Sequence, residues 1–253
     1  MARLRSQEGC PWDREQTHSS LKPYLLEESY EALEAIDRGD DGELCSELGD
    51  VLLQVVFHAQ VASERSSFDI DEVCRAIVDK LVRRHPHVFG DTDVDDADAV
   101  VINWERIKRA ERSDGDDVAP SPLDGVPLPL PALLRAQRIQ DKASRVGFDW
   151  QKIAGPLDKV SEEFEELKRA FREEGETPGK QTAEEFGDLL FALVNVARFL
   201  DLSAEDAMRL AVAKFERRFR ELEGRFRAGG RDMELVDLDE LNEVWEQVKA
   251  STE

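Results

Sequence analysis

Cysteine is scarce and unevenly placed. The 253 residues hold three, Cys10, Cys45 and Cys74, with no CxxC pair and none in the second half. That excludes a disulfide framework and a thiolate zinc site, and it fits a reducing cytoplasm. Histidine is short as well: His18, His58, His85 and His87 all lie in the first half. The opening "MARLRSQEGCPWD" lacks the apolar core of a signal peptide. No apolar run reaches membrane-spanning length, so the expectation is a cytoplasmic protein without a membrane partner. Positive charge is also in deficit, with 34 Lys and Arg against 56 Asp and Glu, for a net charge of −22. Binding to nucleic acid or to an anionic membrane needs clustered Lys and Arg, so neither partner is expected. A phosphorylated small molecule stays compatible, through a cation that cancels local charge.

What the chain does have is helix-forming material. Hydrophobic residues make up 41% and charged residues 36%, as in a helix-rich globular protein. Five of the ten prolines fall in residues 112–134, "RSDGDDVAPSPLDGVPLPLPALL". A helix cannot run through that density, so the stretch reads as a linker. The expected organisation is two helical domains, 1–111 and 135–253, joined by a Pro-rich linker at 112–134. In each, an acidic segment precedes a Gly-containing break, "RGDDGE" at 38–43 and "EGETPGK" at 174–180. An apolar run follows each break, "VLLQVVFHAQVA" at 51–62 and "DLLFALVNVARFL" at 188–200. The pattern predicts two helices joined by a short loop, packed as an antiparallel hairpin, once per domain.

The two halves also match residue by residue. Glu28-x-x-Glu31 aligns with Glu163-x-x-Glu166, and Glu47-x-x-Asp50 with Glu185-x-x-Asp188. "KLVRR" at 80–84 then meets "KFERR" at 214–218, and "WERIK" at 104–108 meets "WEQVK" at 245–249. "GCPWD" at 9–13 loosely meets "GFDW" at 147–150, so that all four tryptophans are accounted for. The offset stays between 134 and 141 residues, which points to a tandem duplication.

Residues three apart share a helix face, so each acidic pair points one way. Leu189 lies four after Glu185 and Ala192 four after Asp188, so these carboxylates continue the apolar packing stripe. Carboxylates entering a core are costly unless paired or bound to a cation. An isolated ExxE is usually a solvated face, but two pairs on adjoining helices, duplicated, point to a site for a hard divalent cation. Histidine is absent from these clusters, the one ExxH being Glu15–His18, and all-oxygen ligation points to Mg²⁺ or Mn²⁺. Lys214 and Arg218 share a helix face, as do Lys80 and Arg84; following a metal cluster in so acidic a chain, they suit phosphate. Trp245 and Lys249 also share a face, where the tryptophan can stack on a base or anchor the last helix to the core.

Together, "GCPWDREQT", "LLEESYE", "SELGDVLLQVVFHAQ", "RRHPHVFGD", "WERIK", "LPALLRAQRIQDKASRVGFDW", "EEFEE", "EEFGDLLFALVNVARFL" and "KFERRFRELE" resemble the MazG family of nucleoside triphosphate pyrophosphohydrolases. The resemblance covers nearly the whole chain. It implies an all-α fold of two tandem helical units of four-helix-bundle type, working as a homodimer. It implies Mg²⁺-dependent cleavage of an NTP or dNTP between the α and β phosphates, giving the monophosphate and pyrophosphate. Carried over, Glu163, Glu166, Glu185 and Asp188 match metal-binding and catalytic positions. Lys159, Lys214, Arg218, Trp245 and Lys249 match positions that hold the nucleotide, with Gln181 and Glu184 placed beside them. Glu28, Glu31, Glu47 and Asp50 form the second, weaker candidate site.

The copies differ one turn upstream of their acids. Lys159 precedes Glu163 where Tyr24 precedes Glu28, and Gln181 precedes Glu185 where Glu43 precedes Glu47. The first site thus lacks an aligned cation and carries an extra acid, so the C-terminal copy is expected to be the main catalyst. Two other readings stand beside this one: a hydrolase of narrower range, such as dUTP or dCTP, and a non-catalytic protein whose acidic helices bind a basic partner. Nucleotide-pool housecleaning is the expected role, and "DTDVDDADAV" at 91–100 is expected to be a solvated loop.

Overall fold

The computed structural model describes residues 1–90, 100, 103, 104, 107, 111, 121–175 and 177–251. Its described residues form α-helices and one 3₁₀ turn, with no strand among them. Two compact units are present, Met1–Asp117 and Val118–Glu253. Most of the acidic 91–100 segment and residues 112–120 of the expected linker lie outside the described residues.

The first unit contains α1 (Pro11–Glu15), α2 (Lys22–Arg38), α3 (Asp41–Ser63), α4 (Ile70–Arg84) and the short α5 (Pro86–Phe89). Helices α2 and α3 pack as a hairpin. Gly39 ends α2 with a left-handed φ of 67°, a conformation that costs a glycine little. Asp40 starts α3 by accepting hydrogen bonds from the Gly42 and Glu43 N–H groups. Asp69 and Glu72 form a capping box at the start of α4. Leu21, Phe57 and Val61 make the core cluster, with Met1 and Tyr24 packed on it.

The second unit contains α6 (Ala132–Ser144), α7 (Ala154–Glu174), α8 (Lys180–Phe199), α9 (Ala204–Ala228) and α10 (Leu238–Ser251). Helix α6 begins at Ala132, so the last three residues of the expected linker are already helical. The α7–α8 hairpin repeats α2–α3, and α6 packs against α8 and α9. Gly179 has no side chain with which to cap α8, and Glu174, at the end of α7, does so instead. Its carboxylate accepts from the Gly179, Gln181 and Thr182 N–H groups and from the Thr182 hydroxyl, at 2.6–3.1 Å. These four donors hold its pKa down to about 2, the Thr182 hydroxyl most strongly. A separate apolar cluster of Leu222, Phe226 and Val248 joins α9 to α10.

Candidate functional site

Two helices supply three converging carboxylates in the second unit. Glu163 on α7 and Glu185 and Asp188 on α8 each offer an oxygen, and these atoms all lie within 4.8 Å of one another. Glu28 on α2 and Glu47 and Asp50 on α3 repeat the arrangement in the first unit. Glu163 is only 5% exposed, whereas Asp188 is open to solvent and Glu28, Glu47 and Asp50 are half-buried.

Burial and crowded negative charge raise the pKa of three of these groups. Burial, then Glu166, Glu163 and Asp188, push the Glu185 carboxyl above its usual range, while Arg169 opposes them. Glu28 is raised by burial and then by Asp50, Glu31, Glu27 and Glu47. Glu47 is raised by burial and then by Glu31, Asp50 and Glu43, with Arg38 opposing. Like charges held together from two helices, all with oxygen donors, fit a hard divalent cation.

The fourth acid of each expected set stands apart from the three. Glu166 is drawn to Arg169 at 2.8 Å, although it remains near enough to raise Glu185. Glu31 likewise raises its neighbours from outside the convergent three. Histidine stays out of both clusters: His18 and His58 stack on each other, with their Nδ1 atoms 2.7 Å apart.

Lys159 does join the second cluster. Its ammonium lies 2.6 Å from Glu163 and 3.0 Å from Glu162, and its pKa is raised chiefly by Glu163. In the first unit, Tyr24 turns to Trp12 instead, edge to face at 5.7 Å. Glu28 there receives a 3.5 Å hydrogen bond from Gln54 Nε2. The extra acid of that copy, Glu43, is balanced by Arg38 at 2.8 Å.

The other expected nucleotide contacts are spread out. Gln181 and Glu184 are exposed at the start of α8; the Gln181 N–H bonds Glu174, and Glu184 pairs with Lys180 at 3.2 Å. Lys214 and Arg218 lie on α9, and Trp245 and Lys249 on α10. Trp245 packs on the α9–α10 cluster, with its ring 5.3 Å from Phe215, so within the chain it is a core anchor. Lys249 pairs with Glu246 at 2.5 Å. In the first unit Arg84, the counterpart of Arg218, is held by Glu111 at 2.6 Å, and Arg83 binds the same carboxylate.

A cavity of about 510 Å³ adjoins the second cluster, with Lys159, Glu163 and Asp188 in its wall. Lys214, Arg218, Trp245 and Lys249 are not among its lining residues. It does include Gln140, Asn195, Asp149 and Arg198, which sequence reasoning did not single out. A signal for two of them was present. Gln140 shares a helical stripe with Ala136, Ile139 and Ala143, and Asn195 interrupts the apolar run of α8.

The fold and site define an all-helical protein with duplicated carboxylate clusters, and sequence comparison agrees. The family model for the MazG nucleotide pyrophosphohydrolase domain matches twice, at residues 16–89 and 151–222. The chain belongs to the MazG family. It is 50% identical over 250 residues to the nucleoside triphosphate pyrophosphohydrolase of Escherichia coli K12, covering 98% of this chain and 94% of that protein. It is 47% identical over 253 residues to the nucleoside triphosphate pyrophosphohydrolase/pyrophosphatase MazG of Thermotoga maritima, covering 100% and 94%. A nucleoside triphosphate pyrophosphohydrolase of Mycolicibacterium smegmatis is 41% identical over 153 residues, covering 60% of this chain and 46% of that protein. Among the described residues no helix is long and apolar enough to cross a membrane.

Proposed function

We propose that the chain is a nucleoside triphosphate pyrophosphohydrolase that uses Mg²⁺, or Mn²⁺ in its place. The reaction cleaves NTPs and dNTPs between the α and β phosphates. The observation that carries this reading is the cavity wall that joins Lys159 to Glu163 and Asp188, with Glu185 alongside. Glu163, Glu185 and Asp188 are the residues that would hold the cation. A bound divalent ion supplies neutralisation of phosphate oxygens and a lower pKa for a coordinated water. Lys159 leaves Glu163 for the phosphates, keeping its proton. One carboxylate of the set Glu163, Glu166, Glu185 and Asp188 takes the proton from the attacking water. The water oxygen bonds to the α phosphorus, and the bridging oxygen leaves with pyrophosphate. Positioning and charge stabilisation are most of what such a transfer needs.

In this reading the C-terminal domain, 135–253, is the main catalyst, and the enzyme is a homodimer of four-helix-bundle type. The α7–α8 hairpin exposes Phe164, Phe171, Phe186 and Leu193, each at 45–55%, more apolar surface than a lone hairpin keeps in water. A partner copy covers that face and brings Lys214, Arg218, Trp245 and Lys249 to the triphosphate. Three free cysteines suit a cytoplasmic location, and sanitising the nucleotide pool is the role that fits a broad substrate range.

The test is release of pyrophosphate and monophosphate across a panel of natural and damaged NTPs with Mg²⁺ or Mn²⁺. Equimolar products, abolished by chelation, are expected. Orthophosphate in place of pyrophosphate would move the cleavage point, and turnover of dUTP or dCTP alone would establish the narrower hydrolase. No turnover of any nucleotide would return the acidic helices to a role in binding a basic partner.

A further inference from the structure

Every histidine of the chain lies in the first unit, and two of them meet there. His18 stands in the turn between α1 and α2, and His58 on α3. Their rings lie nearly parallel, 10° apart, and their Nδ1 atoms are 2.7 Å from each other. At that distance one Nδ1 donates a hydrogen and the other accepts it, whichever ring carries the proton. An imidazolium carries hydrogen on both ring nitrogens, so two of them would aim two N–H groups at each other. In this arrangement the pair holds at most one positive charge.

His58 has a second reason to refuse a proton. Its Nε2 atom is buried and has no hydrogen-bond partner among the described residues. A proton added there would bury a charged N–H without an acceptor, which is costly. Burial, and then the neighbouring His18, lower the His58 pKa. The other charged groups on the elements around the pair are Arg5 in the N-terminal segment, Asp13, Arg14 and Glu15 on α1, Lys22 at the start of α2 and Glu64 just after α3. Arg5 lies 5.5 Å over the ring of Phe57, the residue before His58, and binds Glu64 at 2.7 Å. That bond holds the Glu64 carboxyl below its usual range, so it stays ionised where histidine titrates.

What the histidines hold is a connection. Residues 16–21 lead into α2, and Leu21 at their end sits in the core cluster with Phe57 and Val61 of α3. Two polar ties fasten the chain before α2 to α3 and its end, Arg5 to Glu64 and His18 to His58. Of the two, the histidine pair is the one that titrates near neutral pH. The second unit fastens the chain before α7 to the last turn of α8 without histidine: Asp149 Oδ1 accepts from Arg198 Nη2 at 2.5 Å. We propose that His18 and His58 form an acid-released tie, which fastens the α1–α2 connection to α3 at neutral pH and lets it go when both rings become charged. The released connection takes up two protons on these rings, the fastened one at most one. Acid therefore favours release: the tie is complete above about pH 6.5, the ordinary histidine value, and weakens below it. It acts on the first unit alone, and it stands apart from the proposed function, whose carboxylates Glu163, Glu185 and Asp188 belong to the second.

Hydrogen exchange of the full chain, read by mass spectrometry and corrected for the intrinsic rate at each pH, follows the backbone amides of residues 16–21. Among them the Leu21 N–H bonds the Thr17 carbonyl, and the Thr17 and Ser20 N–H groups bond each other's hydroxyls. One refused proton weakens the tie about tenfold at a pH one unit below the histidine value. Protection of these amides should therefore fall about tenfold between roughly pH 7.5 and pH 5.5, while that of α7–α8 changes by less than about twofold. Glutamine in place of His58 can donate to a neutral His18 through Nε2 or accept from a charged one through Oε1. His58→Gln should thus keep the protection and lose its pH dependence, to within about twofold. Unchanged protection in the wild type overturns the tie. So does a full fall that persists in His58→Gln, or an equal fall in α7–α8, which would mean general acid damage. Should His58→Gln not fold, His18→Gln, in the turn rather than on the helix, decides by the same readings.

Discussion

Glu163, Glu185 and Asp188 in the second unit and Glu28, Glu47 and Asp50 in the first are one arrangement in two surroundings. The ligand set is shared, but the balancing charge is not. Beside Glu163 stands an ammonium at 2.6 Å, ready to serve an anionic substrate; beside Glu28 stands a neutral amide at 3.5 Å. The first unit does have cations, but Arg38 is committed to Glu43, and Arg84 is committed with Arg83 to Glu111, whose pKa these two neighbours hold down to about 2. In the proposed function, a duplicated carboxylate cluster therefore does not make a duplicated triphosphate site. The cation must be near the cage and able to change partners.

The largest effect should come from the cages themselves. Glu185→Ala is expected to lower pyrophosphate release at least about 100-fold, as losing a metal-holding carboxylate commonly does. Glu47→Ala should leave it within about threefold. Full hydrolysis in the Glu185 variant would break the comparison, and equal losses in both would make the two sites equivalent.

A smaller change is expected from the lysine. Lys159→Ala should raise the KM for NTPs about tenfold, the worth of one charged hydrogen bond. In the absence of nucleotide it should leave Mn²⁺ binding as tight or tighter, because a competing ammonium has gone. Tyr24→Lys should do the reverse in the first unit, weakening Mn²⁺ binding at Glu28. Metal titration followed by spin resonance reads both, and weaker Mn²⁺ binding in Lys159→Ala would show that the lysine supports the cage rather than the phosphate.

The smallest effect concerns how the two hairpins are capped. Helix α3 is capped by its neighbour Asp40, whereas α8 depends on Glu174 from the preceding helix. The Glu174 pKa is depressed from 4.5 to about 2 by the Thr182 hydroxyl and the backbone N–H groups. A depressed carboxyl stabilises the fold above its unfolded value and loses that contribution as pH falls toward 2. Glu174→Gln should therefore melt lower than wild type at neutral pH, and the two melting curves should converge as pH drops from about 4.5 toward 2. Parallel curves would mean that the carboxylate's charge is not what holds α8.

Much of this was legible in the chain. The turn at Gly39, the paired hairpins and both acidic clusters follow from local rules: helical spacing, glycine stops and the repeat offset. The carbon skeleton of the site was legible too, because residues three apart on a helix must share a face. What local rules could not say was which acids would meet. Glu166 has the same spacing to Glu163 as Asp188 has to Glu185, yet Arg169 draws it aside. Glu43 reads as surplus negative charge until Arg38 is found beside it.

By itself, then, the sequence determined an all-helical, duplicated protein with acids on helix faces, since periodicity and composition act over a few residues. Only the tertiary structure decided that Glu163 meets Glu185 and Asp188, that Trp245 anchors α9 to α10, and that Arg198 on α8 pins a loop nearly fifty residues before it. Those are choices between partners far apart in the chain. Burial and Coulomb attraction settle them by distance in space, which spacing along a sequence does not encode.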